Sequence, residues 1–157
     1  MIKFRFLEDI ATADVAFEAY GKTPDELFEN CGLALEEVMV DTKTLQKSKV
    51  KGQKAKLQLK SQKLEDLLYD FLSEMVFLKD RDGLLFSKFE IKIKPLTPSR
   101  ISPKDANSAY TLVANLSGEP IDPSHHHLRA DVKAVTKHLF ALEKEKEGYK
   151  ATVILDI

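Results

Sequence analysis

"LEDLLYDFLSEMVFLKDRDGLLFSKFEIKIK", residues 64–94, changes rhythm part-way along. Leu64, Leu67, Leu68, Phe71, Leu72, Met75 and Leu78 recur at three- and four-residue steps and form one wide apolar stripe, the pattern of a core-facing helix. Asp80-Arg81-Asp82 and then Gly83 should close it, because glycine accepts the left-handed backbone that ends many helices. From Leu84 to Lys94 the period drops to two. Phe89, Ile91 and Ile93 take one face, and lysines with Glu90 take the other, as in a half-buried strand. A helix that runs into a strand across one glycine makes the class α+β.

The reading extends outward in both directions. Residues 45–61, with "VKGQKAKLQLK", alternate Lys/Gln with Val, Ala and Leu and predict a hairpin turning near Gly52 with one solvated face. Further upstream, Ile2–Leu7 alternates as a first strand and Val15–Gly21 reads as a second. Thr23-Pro24-Asp25-Glu26 opens a helix: Thr23 can cap it, Pro24 suits its first turn and Glu26 completes a capping-box spacing. Leu27, Phe28, Cys31, Leu35 and Val38 give that helix its core face. Downstream, residues 95–107 hold Pro95, Pro98 and Pro103 and read as an inserted loop. "YTLVANLSGE" is a further strand, "PIDPSHHH" a loop, and "YKATVILDI" the last strand; residues 131–145 fit helix and strand equally. The expected architecture is one domain over residues 1–157, a two-layer α+β sandwich with a mostly antiparallel sheet and two main helices.

The chain has 157 residues, 43% hydrophobic and 31% charged, and a formal net charge of -1. Such a balance gives no global attraction to nucleic acid or to an anionic membrane. No apolar run approaches the roughly 20 residues that cross a bilayer, and "MIKFRFLEDI" lacks the apolar core of a secretory signal. Cys31 is the only cysteine, so no internal disulfide can form, and it reads as a small core residue. These features predict a cytoplasmic protein.

Phosphate-binding glycine loops, CxxC, HExxH and GxSxG are all missing, which argues against a stand-alone nucleotide-using enzyme. His125, His126 and His127 do not make a zinc site, because adjacent imidazoles on an extended segment point in alternating directions and no second cluster completes four ligands. His138 lies in an apolar run and reads as half-buried and hydrogen-bonded; Lys133, alone, reads as an exposed lysine. "ATAD", residues 11–14, reads as a turn whose aspartate bonds backbone amides.

The ending is different. "VILDI" places the Asp156 carboxylate beside the α-carboxylate of Ile157 at the tip of a strand. Two carboxylates so close repel unless a cation or donor neutralises them. Val153, Leu155 and Ile157 share a strand face, so packing would hold both acids in place. A third carboxylate would complete a hard-oxygen site suited to Ca²⁺, Mg²⁺ or Mn²⁺. Asp14, Asp9, Glu37 and Asp41 are the candidates, and spacing does not choose among them.

Three segments together resemble the archease family. "FLEDIATADVAFEAYGKTPDELFENCGLAL" is similar to its opening, "SGEPIDPSHHHLRADVKAVTKHLF" to its central signature, and "GYKATVILDI" to its end. The resemblance implies a small α+β protein, not itself an enzyme, that activates the RtcB-type RNA ligase of tRNA splicing. It would promote guanylylation of that ligase with GTP and divalent metal, allow multiple turnovers, and meet RNA only through the ligase. It also implies a metal site, for calcium first and magnesium or manganese otherwise, built from Asp14, Asp156 and Ile157. The family's important lysine falls on Lys133, and its flanking histidines on His126 and His138. Ala11 stands where the family carries a histidine, and His125 replaces an arginine; neither change removes a carboxylate. The rival readings are a chaperone-like binding module for RNA- or DNA-processing proteins and, further off, a metal-dependent hydrolase, against which stands the lack of a nucleophile and general base.

Overall fold

The structure is a computed structural model that describes residues 2–8, 14–45, 53–96 and 109–157. Its elements run β1 (Phe4–Leu7), β2 (Asp14–Gly21), α1 (Pro24–Met39), a 3-10 turn (Thr42–Thr44), β3 (Gln53–Ser61), α2 (Leu64–Asp82), β4 (Leu84–Pro95), β5 (Tyr110–Pro120), β6 (Ala134–Val135), β7 (Ala141–Glu145) and β8 (Gly148–Asp156).

Both helices start and stop where local chemistry requires. The Thr23 side chain accepts the Glu26 amide at 3.2 Å, Pro24 occupies the first turn, and Asp25 and Glu26 sit at the positive end of the helix dipole. The C-cap of α2 is Gly83 at φ 63°, and its amide bonds the Lys79 carbonyl at 2.9 Å. The predicted stripes face inward: Leu27, Phe28, Cys31 and Leu35 of α1, and Leu67, Leu68, Phe71, Leu72 and Met75 of α2, are fully buried.

The α+β class holds, but the strands form two antiparallel sheets rather than one. The first runs β1-β2-β8-β6, with β7 pairing the other half of the β8 edge; the second runs β3-β5-β4. The helices lie against both: α1 packs on β2 and β4, and α2 on β3 and β6. One core results, with Phe17, Val153 and Leu155 from the first sheet, Phe86, Leu112 and Leu116 from the second, and the helix stripes among them. Gly118 of β5 faces Phe86, where β4 shifts register between Phe86 and Lys88; a side chain there would collide with the Leu85 carbonyl oxygen.

Of the predicted 45–61 hairpin, residues 46–52, which hold the first arm and the Gly52 turn, lie outside the described residues; the second arm is β3, which pairs with β5. Ahead of it the Asp41 side chain accepts the Lys43 amide at 3.1 Å and caps the 3-10 turn. Residues 131–145 resolve into two short strands, β6 and β7. The turn between them carries Leu139 at φ 56°, a left-handed conformation that no helix tolerates in its interior. His138 is therefore exposed on that turn, not half-buried.

Candidate functional site

Asp14 opens β2 and Asp156 closes β8. The antiparallel register makes them direct partners, so their side chains leave the same face of the sheet. On the other edge of β8, Asp156 faces Ala134 of β6, and its carbonyl accepts the Lys133 amide at 2.8 Å. The last strand residue is thus held from both sides. Behind it Val153, Ile154 and Leu155 are buried, whereas Ile157 lies past the strand and is 36% exposed. The expected apolar anchor ends at Leu155, and the α-carboxylate follows an exposed side chain.

The structure brings Asp14 and Asp156 together and excludes two other acids. Glu37 accepts the Thr42 hydroxyl at 2.5 Å and pairs with Arg129 at 2.6 Å, and Asp41 caps the 3-10 turn. Asp9 lies outside the described residues. Among the described residues no group of three His, Cys, Asp or Glu side chains converges as a metal site. The donor set that remains is two side-chain carboxylates and the terminal one: hard oxygen ligands, chemically suited to Ca²⁺ or Mg²⁺.

Lys133 enters on a strap, residues 121–136, that has little regular structure and many tethers. Asp122 starts it by accepting the Ser124 amide at 3.0 Å and hydroxyl at 2.6 Å, which lowers the pKa of its own carboxyl. The buried His126 ring locks the turn. Its Nδ1 accepts the Asp122 amide at 2.9 Å, so Nε2 carries the proton and donates to Glu119 at 2.7 Å. Both nitrogens are thereby used within the protein, and His126 acts on any surface through the loop it holds. The Arg129 and Ala130 amides then bond the last carbonyls of α1, at Met39 and Val38. Lys133 itself is exposed and borders a groove with Tyr69, Phe77 and Asp80 of α2.

Lys79 completes the strap, and sequence reading missed it. Its ammonium is buried and bonds the Asp131 carboxylate at 2.6 Å, the Val132 carbonyl at 2.7 Å and Asp80 at 2.6 Å. Burial opposes its charge, but the hydrogen bonds it donates to Asp131 and Asp80 outweigh it and raise the pKa above the ordinary lysine value. The signal was present: Lys79 continues the Leu72, Met75, Val76 spacing of the apolar stripe, where a lysine needs a partner. Nearby, Glu36 is fully buried and neither carboxylate oxygen finds a partner in hydrogen-bond geometry. Burial pushes its pKa up to about 8; the Phe86 amide and Lys79 oppose this without reversing it.

Fold and site together define a small α+β sandwich that presents an acidic pair at its C-terminal strand, with a tethered lysine strap alongside. Comparison gives this class its family. The model of the Archease protein family (MTH1598/TM1083) matches residues 4–157. The "Protein archease" of Methanosarcina acetivorans is 38% identical over 99% of this chain and 96% of its own length, and that of Pyrococcus abyssi is 33% identical over 93% and 94%. The solution structure of Methanobacterium thermoautotrophicum protein 1598 superposes with a TM-score of 0.74 at 35% identity, covering 99% of both chains. A Thermotoga maritima archease, described as a possible chaperone, shares the fold with a TM-score of 0.58 at 19% identity over 94% and 93%. The chain belongs to the archease family.

Proposed function

We propose that this protein is a non-catalytic activator of an RtcB-type RNA ligase in tRNA splicing, acting in the cytoplasm as a single domain. The observation that carries the reading is the register pairing of Asp14 with Asp156 beside the chain terminus. Two carboxylates on adjacent strands, with a third at the free end, make a local negative charge that a divalent cation would neutralise. Calcium suits this flexible oxygen set; magnesium and manganese are the alternatives.

A cation held there would supply charge stabilisation near transferring phosphate when the protein is docked on the ligase. This chain's part is to orient the acids through β2, β8 and β6, and to present Lys133 on the strap next to them. Lys133 then offers its ammonium to an acidic group or phosphate of the partner. His138, exposed on the β6–β7 turn, stands on the same strap-and-turn segment and is available to the interface.

Covalent guanylylation of an RtcB-type ligase, followed with GTP and divalent metal, tests the reading. Asp14→Ala and Asp156→Ala should each abolish the acceleration given by the unaltered protein. A short polar tail after Ile157, which turns the terminal carboxylate into a neutral peptide, should weaken cation affinity and activation together. Full acceleration by both alanine variants would refute the proposal. A chaperone-like role remains the second reading, favoured by the description of the Thermotoga maritima relative as a possible chaperone. It predicts that altered ends leave partner binding intact.

A further inference from the structure

The outer face of the second sheet is predominantly positive. Pairing aligns Lys54, Ser117 and Lys88 in one row across β3, β5 and β4; Lys56, Asn115 and Glu90 in the next; Gln58, Val113 and Lys92 in a third; Lys60, Thr111 and Lys94 in a fourth. The lysines of both outer strands are exposed, and the β5 residues between them are short, leaving a shallow trough along the sheet. These four rows therefore carry six lysines and one acid, Glu90. The whole chain is at -1, so the remainder of the molecule is net negative and this face stands out in sign from the whole.

We infer that this face binds the phosphate backbone of double-stranded RNA. Within each edge strand successive lysines stand two or four residues apart, about 6.8 or about 13.6 Å, and the two rows stand roughly 10 Å apart, the spacing of alternate strands in a sheet. Protein-protein interfaces are depleted in lysine and rich in aromatic residues at their centre, whereas the centre here is Ser117, Asn115, Val113 and Thr111. An anionic membrane would call for apolar side chains to insert beside the charges, and Val113 is the sole apolar residue of the four rows. Single strands are held by stacking on aromatic rings, which the face lacks. B-form DNA carries the same phosphates, but its minor groove is only about 6 Å wide and cannot seat a three-stranded sheet. An A-form duplex presents phosphates and a wide, shallow minor groove to such a surface. Contact is sequence-independent, because lysine meets phosphate as a point charge.

The inference stands apart from the ligase reading, since binding is measured with no ligase or GTP present. A fluorescent RNA duplex of arbitrary sequence is titrated with the full chain at several salt concentrations. Binding should be in the micromolar range at low salt and fall steeply as salt rises, by roughly 0.9 in log affinity per log salt for each phosphate neutralised. Lys56→Gln, Lys60→Gln, Lys92→Gln and Lys94→Gln combined should weaken it about tenfold or more and lower the salt slope by about one per lysine removed. Asn115→Asp with Ser117→Glu keeps every lysine, places negative charge in the trough, and should weaken binding similarly. Lys144→Gln with Lys146→Gln, beyond this sheet, should leave it unchanged. An unaltered affinity in both face variants overturns the inference. So does equal or tighter binding to duplex DNA, to single-stranded RNA, to polyglutamate or to phosphatidylserine vesicles.

Discussion

The acidic seam and the lysine face use the same device and differ in what holds them. Each is a set of outward side chains aligned by antiparallel register: Asp14 with Asp156 on the first sheet, and lysine rows on the second. The face needs nothing beyond its three strands, for long pairing from Gln53 to Ser61 and, past the register shift, from Lys88 to Pro95 fixes every lysine. The seam lies where strands end. It depends on the two-residue β6, on the strap, and on the buried Lys79 that holds the strap through Asp131 and the Val132 carbonyl. A site at strand tips is thus supported by a buried charge, and Glu36, buried beside Phe86 and Lys79, gives the core a pH dependence of its own.

The largest effect concerns Glu36. Its folded pKa of about 8 exceeds the ordinary carboxyl value of 4.5 because burial disfavours the anion. Between those values the folded protein keeps a proton that the unfolded chain releases. Stability is therefore full below about pH 4.5 and declines as pH rises through about 8, from this group alone. By pH 7 the loss amounts to at most about 3 kcal/mol. Urea denaturation of Glu36→Gln across this range should show a flatter profile than the natural protein, with the variant the more stable above neutrality. A parallel pH profile in the two proteins would mean that Glu36 is ionised in both states.

Lys79 comes next. Lys79→Met keeps the length of the side chain but strands the Val132 carbonyl without a donor and releases Asp131. Removing one partner of a buried hydrogen bond costs about 2 kcal/mol. The loss should be local as well as global: the Lys133 amide, bonded to Asp156, should exchange with deuterium faster, while the Leu112 and Leu116 amides of the second sheet keep their relative protection. Uniform acceleration through both sheets would erase the distinction between the two regions.

How far the sequence could be read follows the same division. Elements defined by period were legible: the α2 stripe, its stop at Gly83, the capped start of α1 and the alternation of β4 all come from local chemistry. Asp156 and Ile157 were legible as acids at a strand tip; Asp14 was one of four candidates by spacing and the one the family resemblance implied, and register makes it the strand partner of Asp156. Lys79, Glu119 and Glu36 were not read, because their roles depend on partners 7 to 53 positions away in the chain or on burial between helix and sheet. The lysine rows were each visible as the polar side of a strand. A net charge of -1 concealed that β5 would bring them onto one face. Summed charge reports nothing about placement, and placement follows from long-range pairing.

The smallest expected effect is the most discriminating for the comparison. Combining Lys56→Gln, Lys60→Gln, Lys92→Gln and Lys94→Gln should leave the folding free energy within about 0.5 kcal/mol of the natural protein, as is usual for exposed positions. The sign should depend on salt. Lysines that repeat along β3 and β4 repel one another, and at low ionic strength their Debye length of about 30 Å spans the whole face. Neutralising four of them relieves that repulsion, so the variant should be slightly the more stable in dilute buffer. At 1 M salt, where screening acts within about 3 Å, the difference should vanish. Urea midpoints at both salt concentrations measure it. A loss above about 1 kcal/mol at either salt would show that the lysines brace the sheet itself. A salt-dependent gain is the signature of a face whose charges repel in the free protein and await a polyanion.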